Sequence, residues 1–185
     1  MGWNPLVGRT HHCGRFVVVS TSWALSTLQE AAPRDSRRST GSTIMISVGS
    51  LSGRYACLSL DYKRPVLYEG RWYPTSQHGY QSQKTTDPKR SEEIRLAPSA
   101  GKAALWGRDR RKTILRHDWN EDDVLYTFVF LKFAQNEDLW LVLEGTGETP
   151  LNDEKDPKNT LGKALMRTRD ELRAVWRLMG GESEE

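Results

Sequence analysis

The chain has 185 residues, 28% of them charged, with the signs mixed to a formal net charge of +3. That length suits one compact domain with a real core and a tail, and so balanced a charge does not mark a nucleic-acid binder by itself. No apolar run approaches the roughly 20 residues needed to span a bilayer. Cys13 and Cys57 lie far apart without a partner motif, which argues against a disulfide framework or cysteine metal site and predicts a reducing, cytoplasmic setting.

Residues 1–44 are rich in Ser, Thr and Arg and carry no acidic residue before Glu30. Three readings stand for them: a disordered tail, translation from a start upstream of Met45, and an Arg-rich organelle presequence. From Ile44 the texture changes. Ile44–Val48 alternates as a strand does, and Leu51–Ser59 reads as a further extended piece or loop. Arg64–Tyr73 reads as a hairpin turning at Glu69-Gly70. Pro74 breaks the chain, and Thr75 or Ser76 can cap a helix that ends near Lys84–Thr86. Within it Gln77, Tyr80, Gln81 and Lys84 fall at i, i+3, i+4 and i+7 and share one face. A core helix would carry Leu, Ile or Val there, so this face reads either as the wall of a polar ligand pocket or as a solvated surface. His78 reads as a packed, hydrogen-bonded histidine or as a ligand contact; no second His stands at metal-ligand spacing, and no metal site is expected.

Asp87-Pro88 starts a second helix over Arg90–Leu96, with Ile94 as its apolar contact. Ser99 can cap a third, Lys102–Trp106, stopping at Gly107. Arg108, Arg110, Arg111, Lys112 and Arg116 then form a basic segment. After Gly107, the planar fork of Arg108 suits phosphate. The same segment, flanked by Trp106 and Trp119, also allows single-stranded nucleic acid as a partner. Asp118-Trp119 pairs a helix cap with a core aromatic, or offers an indole to a flat heterocycle. Glu121–Ala134 is the strongest helical pattern, Asp138–Glu144 a short helix closed by Gly145, and Thr146–Lys158 a loop rich in Gly, Pro, Asn and Asp. Leu161–Met179 is the last helix, with Leu161, Leu165, Leu172 and Trp176 on one face. The expected organisation is a tail over 1–44, a mainly helical single α+β domain with a small antiparallel sheet over 45–180, and an acidic tail over 181–185.

The run Tyr73-Pro74-Thr75-Ser76-Gln77-His78-Gly79-Tyr80-Gln81-Ser82-Gln83-Lys84 resembles the helix signature of the NADAR superfamily, in particular its YbiA-like N-glycosidases. Further fragments come in that family's order: Tyr55, Ser59 and Pro65; Gly107-Arg108; Arg116–Trp119; Lys132–Asn136; Thr146-Gly147; Leu151; Asn159-Thr160-Leu161-Gly162 with Leu165-Met166 and Arg169. The resemblance covers about residues 46–173. It implies a mostly helical α+β fold and hydrolysis of the N-glycosidic bond of a ribosyl phosphate. The family's substrates are the ribosylamino-pyrimidine phosphates of early riboflavin synthesis; other members act on ADP-ribose.

Matched by position, Trp119 falls on a functional tryptophan, Asp153 on an acidic residue after Leu151, and Gln77 where the family has a glutamate. The expected catalytic set is therefore Gln77, Trp119 and Asp153, with Thr75, His78, Gln81, Lys84, Arg108 and Asn159 binding substrate in a monomer without metal or cofactor. Three departures stand out. Gln77 is neutral, Leu58-Ser59-Leu60-Asp61 replaces Phe-Ser-Asn-Phe, and Asp156-Pro157-Lys158 bridges the place of a Gly-rich loop. A glutamine exchanges no proton at neutral pH, so the alternative is a non-catalytic module that binds ADP-ribose or a related nucleotide.

Overall fold

A computed structural model describes residues 45–179; the tails expected over 1–44 and 181–185 lie outside the described residues. Among the described residues six α-helices carry the fold. α1 is Ser76–Ser82, α2 Pro88–Arg95, α3 Ala100–Arg108, α4 Glu121–Ala134, α5 Glu137–Glu144 and α6 Thr160–Leu178. Four short strands accompany them: β1 Ile46–Ser47, β2 Val66–Tyr68, β3 Arg71–Tyr73 and β4 Leu151–Asn152.

β2 and β3 pair antiparallel around Glu69-Gly70, and both turn residues have positive φ (49° and 74°). That is the left-handed pair a two-residue hairpin turn of matching twist requires. β1 and β4 form the second ladder, and it is parallel, with Ile46 opposite Leu151. The expected antiparallel sheet is thus half of what is present. β4 falls inside the stretch expected to be loop, because a two-residue strand leaves no periodicity to read. Leu51–Ser59 is neither extended nor plain loop: Ala56–Leu58 closes one 3-10 turn with Cys57 and Leu58 buried.

α1 is the central element. All seven of its residues are buried, and it packs against α2, α3 and α4. Several of its polar atoms are matched, as burial demands. Thr75 caps it, Ser76 Oγ donates to the Phe128 carbonyl at 3.0 Å, and Ser82 Oγ donates to the Gly79 carbonyl at 2.8 Å. Two glycines permit the close packing. A Cβ on Gly79 would run into the Phe128 ring, and one on Gly107 into the Gln81 side chain. The second contact explains why α3 continues through Gly107 to Arg108 instead of stopping there: this glycine makes room for a neighbouring helix and does not end its own.

The main core joins α1, α4, α5, α6 and the hairpin around Leu58, Phe128, Val129, Phe133, Leu143 and Leu165. Phe128 receives Tyr68 and Tyr73 edge-on at 5.1 and 5.3 Å, which fixes the hairpin to α4. Gln135, at the end of α4, both donates to the Leu67 carbonyl (2.8 Å) and accepts its N–H (2.9 Å), pairing the outer edge of β2. α6 buries Leu161 and Leu165 and half-buries Leu172, then leaves the core: Trp176, expected on the buried face, is exposed. No helix among the described residues is long and apolar enough to cross a membrane.

Candidate functional site

The face of α1 expected to be either pocket wall or solvated surface is not solvated. Gln77, Tyr80 and Lys84 are 7%, 5% and 8% exposed, and Gln81 is 1% exposed. Yet Oε1 of Gln77 and Oε1 of Gln81 find no hydrogen-bond partner among the described residues. Buried and unpartnered polar atoms cost of the order of 1–3 kcal/mol each. Two on one helical face mark a surface built for something other than packing.

One turn further on, the Lys84 ammonium lies 4.8 Å from the Tyr80 ring centroid and 5.6 Å from that of Trp119, and the two rings stand 5.6 Å apart. Among the described residues it makes neither hydrogen bond nor ion pair. Burial lowers its pKa, the charge of Glu121 opposes that shift, and Arg110 and Arg108 add to it. Lys84 is therefore a buried cation repelled by the exposed Arg108 and Arg110, and an anion beside it would relieve that repulsion.

Trp119 is brought to Lys84 by the backbone. Arg116 N–H donates to the Lys84 carbonyl at 2.8 Å, and Trp119 N–H donates to the Arg116 carbonyl at 3.3 Å. Asp118 is not a helix cap. It accepts two hydrogen bonds from the Arg116 guanidinium, at 2.6 and 2.7 Å, which holds its carboxyl down at about 2. Asn120 caps α4 in its place. Arg108 is exposed at the end of α3, where it also borders a cleft of about 680 Å³ lined by Trp106 and Lys112 among others. Trp106 is half-buried, with the Arg90 guanidinium 5.9 Å from its ring centroid.

Other expected site residues are engaged in holding the frame. Thr75 Oγ1 accepts the His78 N–H and donates its hydroxyl proton to His78 Nδ1 (2.8 Å), while Nε2–H donates to the Ala97 carbonyl (3.1 Å). Both ring nitrogens are occupied, and burial lowers the ring's pKa, so the neutral Nε2–H tautomer is the one these bonds select. Asn159 sits at φ 49°; its amide donates to the Leu151 carbonyl (2.9 Å) and accepts the Asp153 N–H (2.8 Å). It clamps β4 to the start of α6. Asp153 is half-buried beside Gly49, with Oδ1 accepting the Lys155 N–H at 3.0 Å. The structure thus gathers Gln77, Gln81, Lys84 and Trp119 around α1, and joins Asp153 to Asn159 at β4.

Two participants were not legible as such in the sequence. Tyr80 donates its hydroxyl to Glu121 Oε1 at 2.6 Å, joining α1 to the first turn of α4. Glu121 lies two residues beyond Trp119, but its contact with α1 spans 41 residues and leaves no local pattern. Lys132 is fully buried and donates to the carbonyls of Cys57 (2.8 Å) and Ser59 (3.0 Å). The next carbonyl along, that of Leu60, accepts the Gln77 N–H at 3.1 Å. Lys132 therefore anchors the segment against which Gln77 is set. Among the described residues no group of three or more His, Cys, Asp or Glu is placed to hold a metal.

The sequence profile of the NADAR domain matches residues 46–157. N-glycosidase YbiA of Escherichia coli (strain K12) is 34% identical over 142 residues, covering 69% of this chain and 88% of that protein. A riboflavin biosynthesis protein of Vibrio vulnificus is 32% identical over 138 residues, covering 67% of this chain and 35% of the relative. The NMR structure of the E. coli YbiA protein superposes with a TM-score of 0.65 at 32% identity, over 75% of this chain and 90% of that one.

Proposed function

The chain belongs to the NADAR domain family, and on that premise we propose that it is an N-glycosidase that hydrolyses the bond between a ribosyl phosphate and a nitrogenous base. The observation that carries this reading is the α1 face: two buried amide oxygens without partners, followed by an ammonium held over two aromatic rings. Such a row offers hydrogen bonds to a polyhydroxylated ring and charge to a phosphate, beside an indole that a flat base can stack on. The names of the E. coli and Vibrio relatives favour ribosylamino-pyrimidine phosphates as substrates; an ADP-ribosyl compound shares the ribosyl phosphate that the row would hold.

In this reading Lys84 and Arg108 hold the phosphate, Gln77 and Gln81 orient the sugar, and Trp119 stacks on the base. Incubation of the purified chain with ribosylamino-pyrimidine phosphates is expected to release ribose 5-phosphate. Trp119→Ala is expected to raise KM by about 5- to 150-fold, since stacking of a base on an aromatic side chain is worth about 1–3 kcal/mol. Absence of release from the wild-type chain would overturn the reading.

One observation favours a second function. The α1 row holds amides, a phenol and an amine but no carboxylate, and a glutamine at position 77 cannot carry a proton. The corresponding reading is a binding module for ADP-ribose or a related nucleotide. Calorimetry with ADP-ribose and ribose 5-phosphate separates the two, because tight binding without turnover fits only the module.

A further inference from the structure

Glycosidic hydrolysis commonly uses a carboxylate, either to take a proton from the attacking water or to stabilise the positive charge that develops at the anomeric carbon. The α1 row supplies none. Of the other carboxylates, Asp118 is tied up by the Arg116 guanidinium, Asp61 acts on the His78 ring by its charge without a hydrogen bond to it, and Asp153 stands at β4 beside Gly49 with one oxygen on the Lys155 N–H. Glu121 alone among the described carboxylates is hydrogen-bonded to the row, through the Tyr80 hydroxyl at 2.6 Å.

Resting on the N-glycosidase reading, we propose that Glu121 is the general base of this site, held in place by Tyr80. Three features of its setting support the role. The Tyr80 bond occupies Oε1 and fixes a side chain that would otherwise swing freely at the start of α4, while Oε2 accepts no hydrogen bond among the described residues. Glu121 also lines a cleft of about 500 Å³ between the first turns of α4 and α6, with Tyr126, Lys158, Thr160, Lys163 and Arg167 among the other walls. It is thus the residue common to the α1 cluster and to this cleft, whose lining includes no other member of that cluster. Finally, its charge is felt by Lys84, so base and phosphate-binding cation belong to one electrostatic group. The charged and titratable groups around it are Tyr80 and Lys84 from α1, Asp122, Asp123 and Tyr126 from its own helix, and Lys158, Lys163 and Arg167 across the cleft.

The step balances as follows. Glu121 Oε2 takes a proton from a water molecule as the water oxygen bonds to the anomeric carbon. The bond from that carbon to the base nitrogen breaks, and its electron pair goes to the nitrogen. The proton held by Glu121 then passes through solvent to that nitrogen, which restores the carboxylate. The net change is addition of water across the C–N bond.

The test is steady-state release of ribose 5-phosphate from a ribosylamino-pyrimidine phosphate by the wild-type, Glu121→Gln, Glu121→Asp and Tyr80→Phe proteins across the carboxylate titration range, with thermal melts confirming that each folds. Glu121→Gln keeps an acceptor for Tyr80 and is expected to lower kcat by about 10²–10⁴-fold with little change in KM. It should also abolish the acidic limb of the wild-type profile. Glu121→Asp should recover part of the rate, and Tyr80→Phe should retain the acidic limb at reduced kcat. Wild-type turnover together with a Glu121→Gln rate within about threefold of it, and an unchanged acidic limb, would overturn the role of Glu121 and leave the N-glycosidase reading intact. A wild-type chain without turnover would overturn both.

Discussion

Single residues show how this protein manages polar groups in its interior. Lys132 is the extreme case. No carboxylate meets it; two carbonyls do, and burial pulls its ammonium down to about 7 from an ordinary 10.5. A neutral amine has two N–H donors, and two acceptors are what the site provides. The sign of the linkage follows. Between about pH 7 and 10.5 the unfolded chain holds a proton on this group that the folded chain has released, so stability rises with pH through that window and falls as pH is lowered through it. Urea unfolding at a series of pH values is expected to show this rise in the wild type. Lys132→Met removes the titrating group, so the same series should show a shallower rise, and an equal slope in both proteins would refute the assignment. His78 is handled differently: its neutral ring bridges Thr75 and Ala97, linking the start of α1 to the end of α2. Both residues could be found in the sequence; the sequence does not reveal what they face.

Among the elements, α1 was the most readable and β4 the least. Thr75, Pro74 and the i, i+3, i+4, i+7 polar row all act within a few residues, so cap, start and face follow from local rules. The hairpin was legible for the same reason, since Glu69-Gly70 sets its own turn. The end of α3 was not, because Gly107 answers to Gln81, a residue 26 positions away. β4 was not either, since two residues form a strand only when Ile46 and Val48 present their N–H groups to the Pro150 and Asn152 carbonyls. The contact of Gly79 with Phe128 gives a direct check at this scale. Gly79→Ala gains about 1 kcal/mol in helix propensity. It also forces a methyl group into a ring with 0% exposure that is already wedged between Tyr68 and Tyr73. Overpacking of that kind costs about 1–3 kcal/mol, so the net effect should be destabilising. The measurement is the urea midpoint at unchanged m value; a midpoint at or above the wild type's would show that α1 and α4 can move apart.

At the scale of the whole domain, the arrangement is a short polar helix enclosed by α2, α3 and the long apolar α4. A seven-residue helix has almost no stability alone. Here its stability is borrowed from the core that surrounds it, and its amides should not open unless that core opens. Hydrogen exchange under native conditions is expected to place the hydrogen-bonded amides near the end of α1 (Gln83, which donates to the Gly79 carbonyl) in the slowest class together with those of mid-α4. The last turn of α6, where Val175, Trp176 and Leu178 are exposed, should exchange fastest among the helices. Fast exchange at Gln83 would mean that the polar helix opens independently of the core. The NADAR membership and the α+β class were both legible because their motifs run in order along the chain. The candidate site was legible only in part: Gln77, Gln81, Lys84 and Trp119 carry the motif, whereas Glu121 meets Tyr80 through a contact that only the folded chain makes.

The Lys132 anchor also has a bearing on time. The carbonyls it holds lie 73 and 75 residues earlier in the chain. Closing a loop of that length must precede the contacts that reward it, whereas α4 can wind from neighbours alone. Gln77 is set against the segment that this late closure fixes. On this ordering helices come first in assembly, and the surroundings of Gln77 are complete only once segments more than 70 residues apart have met.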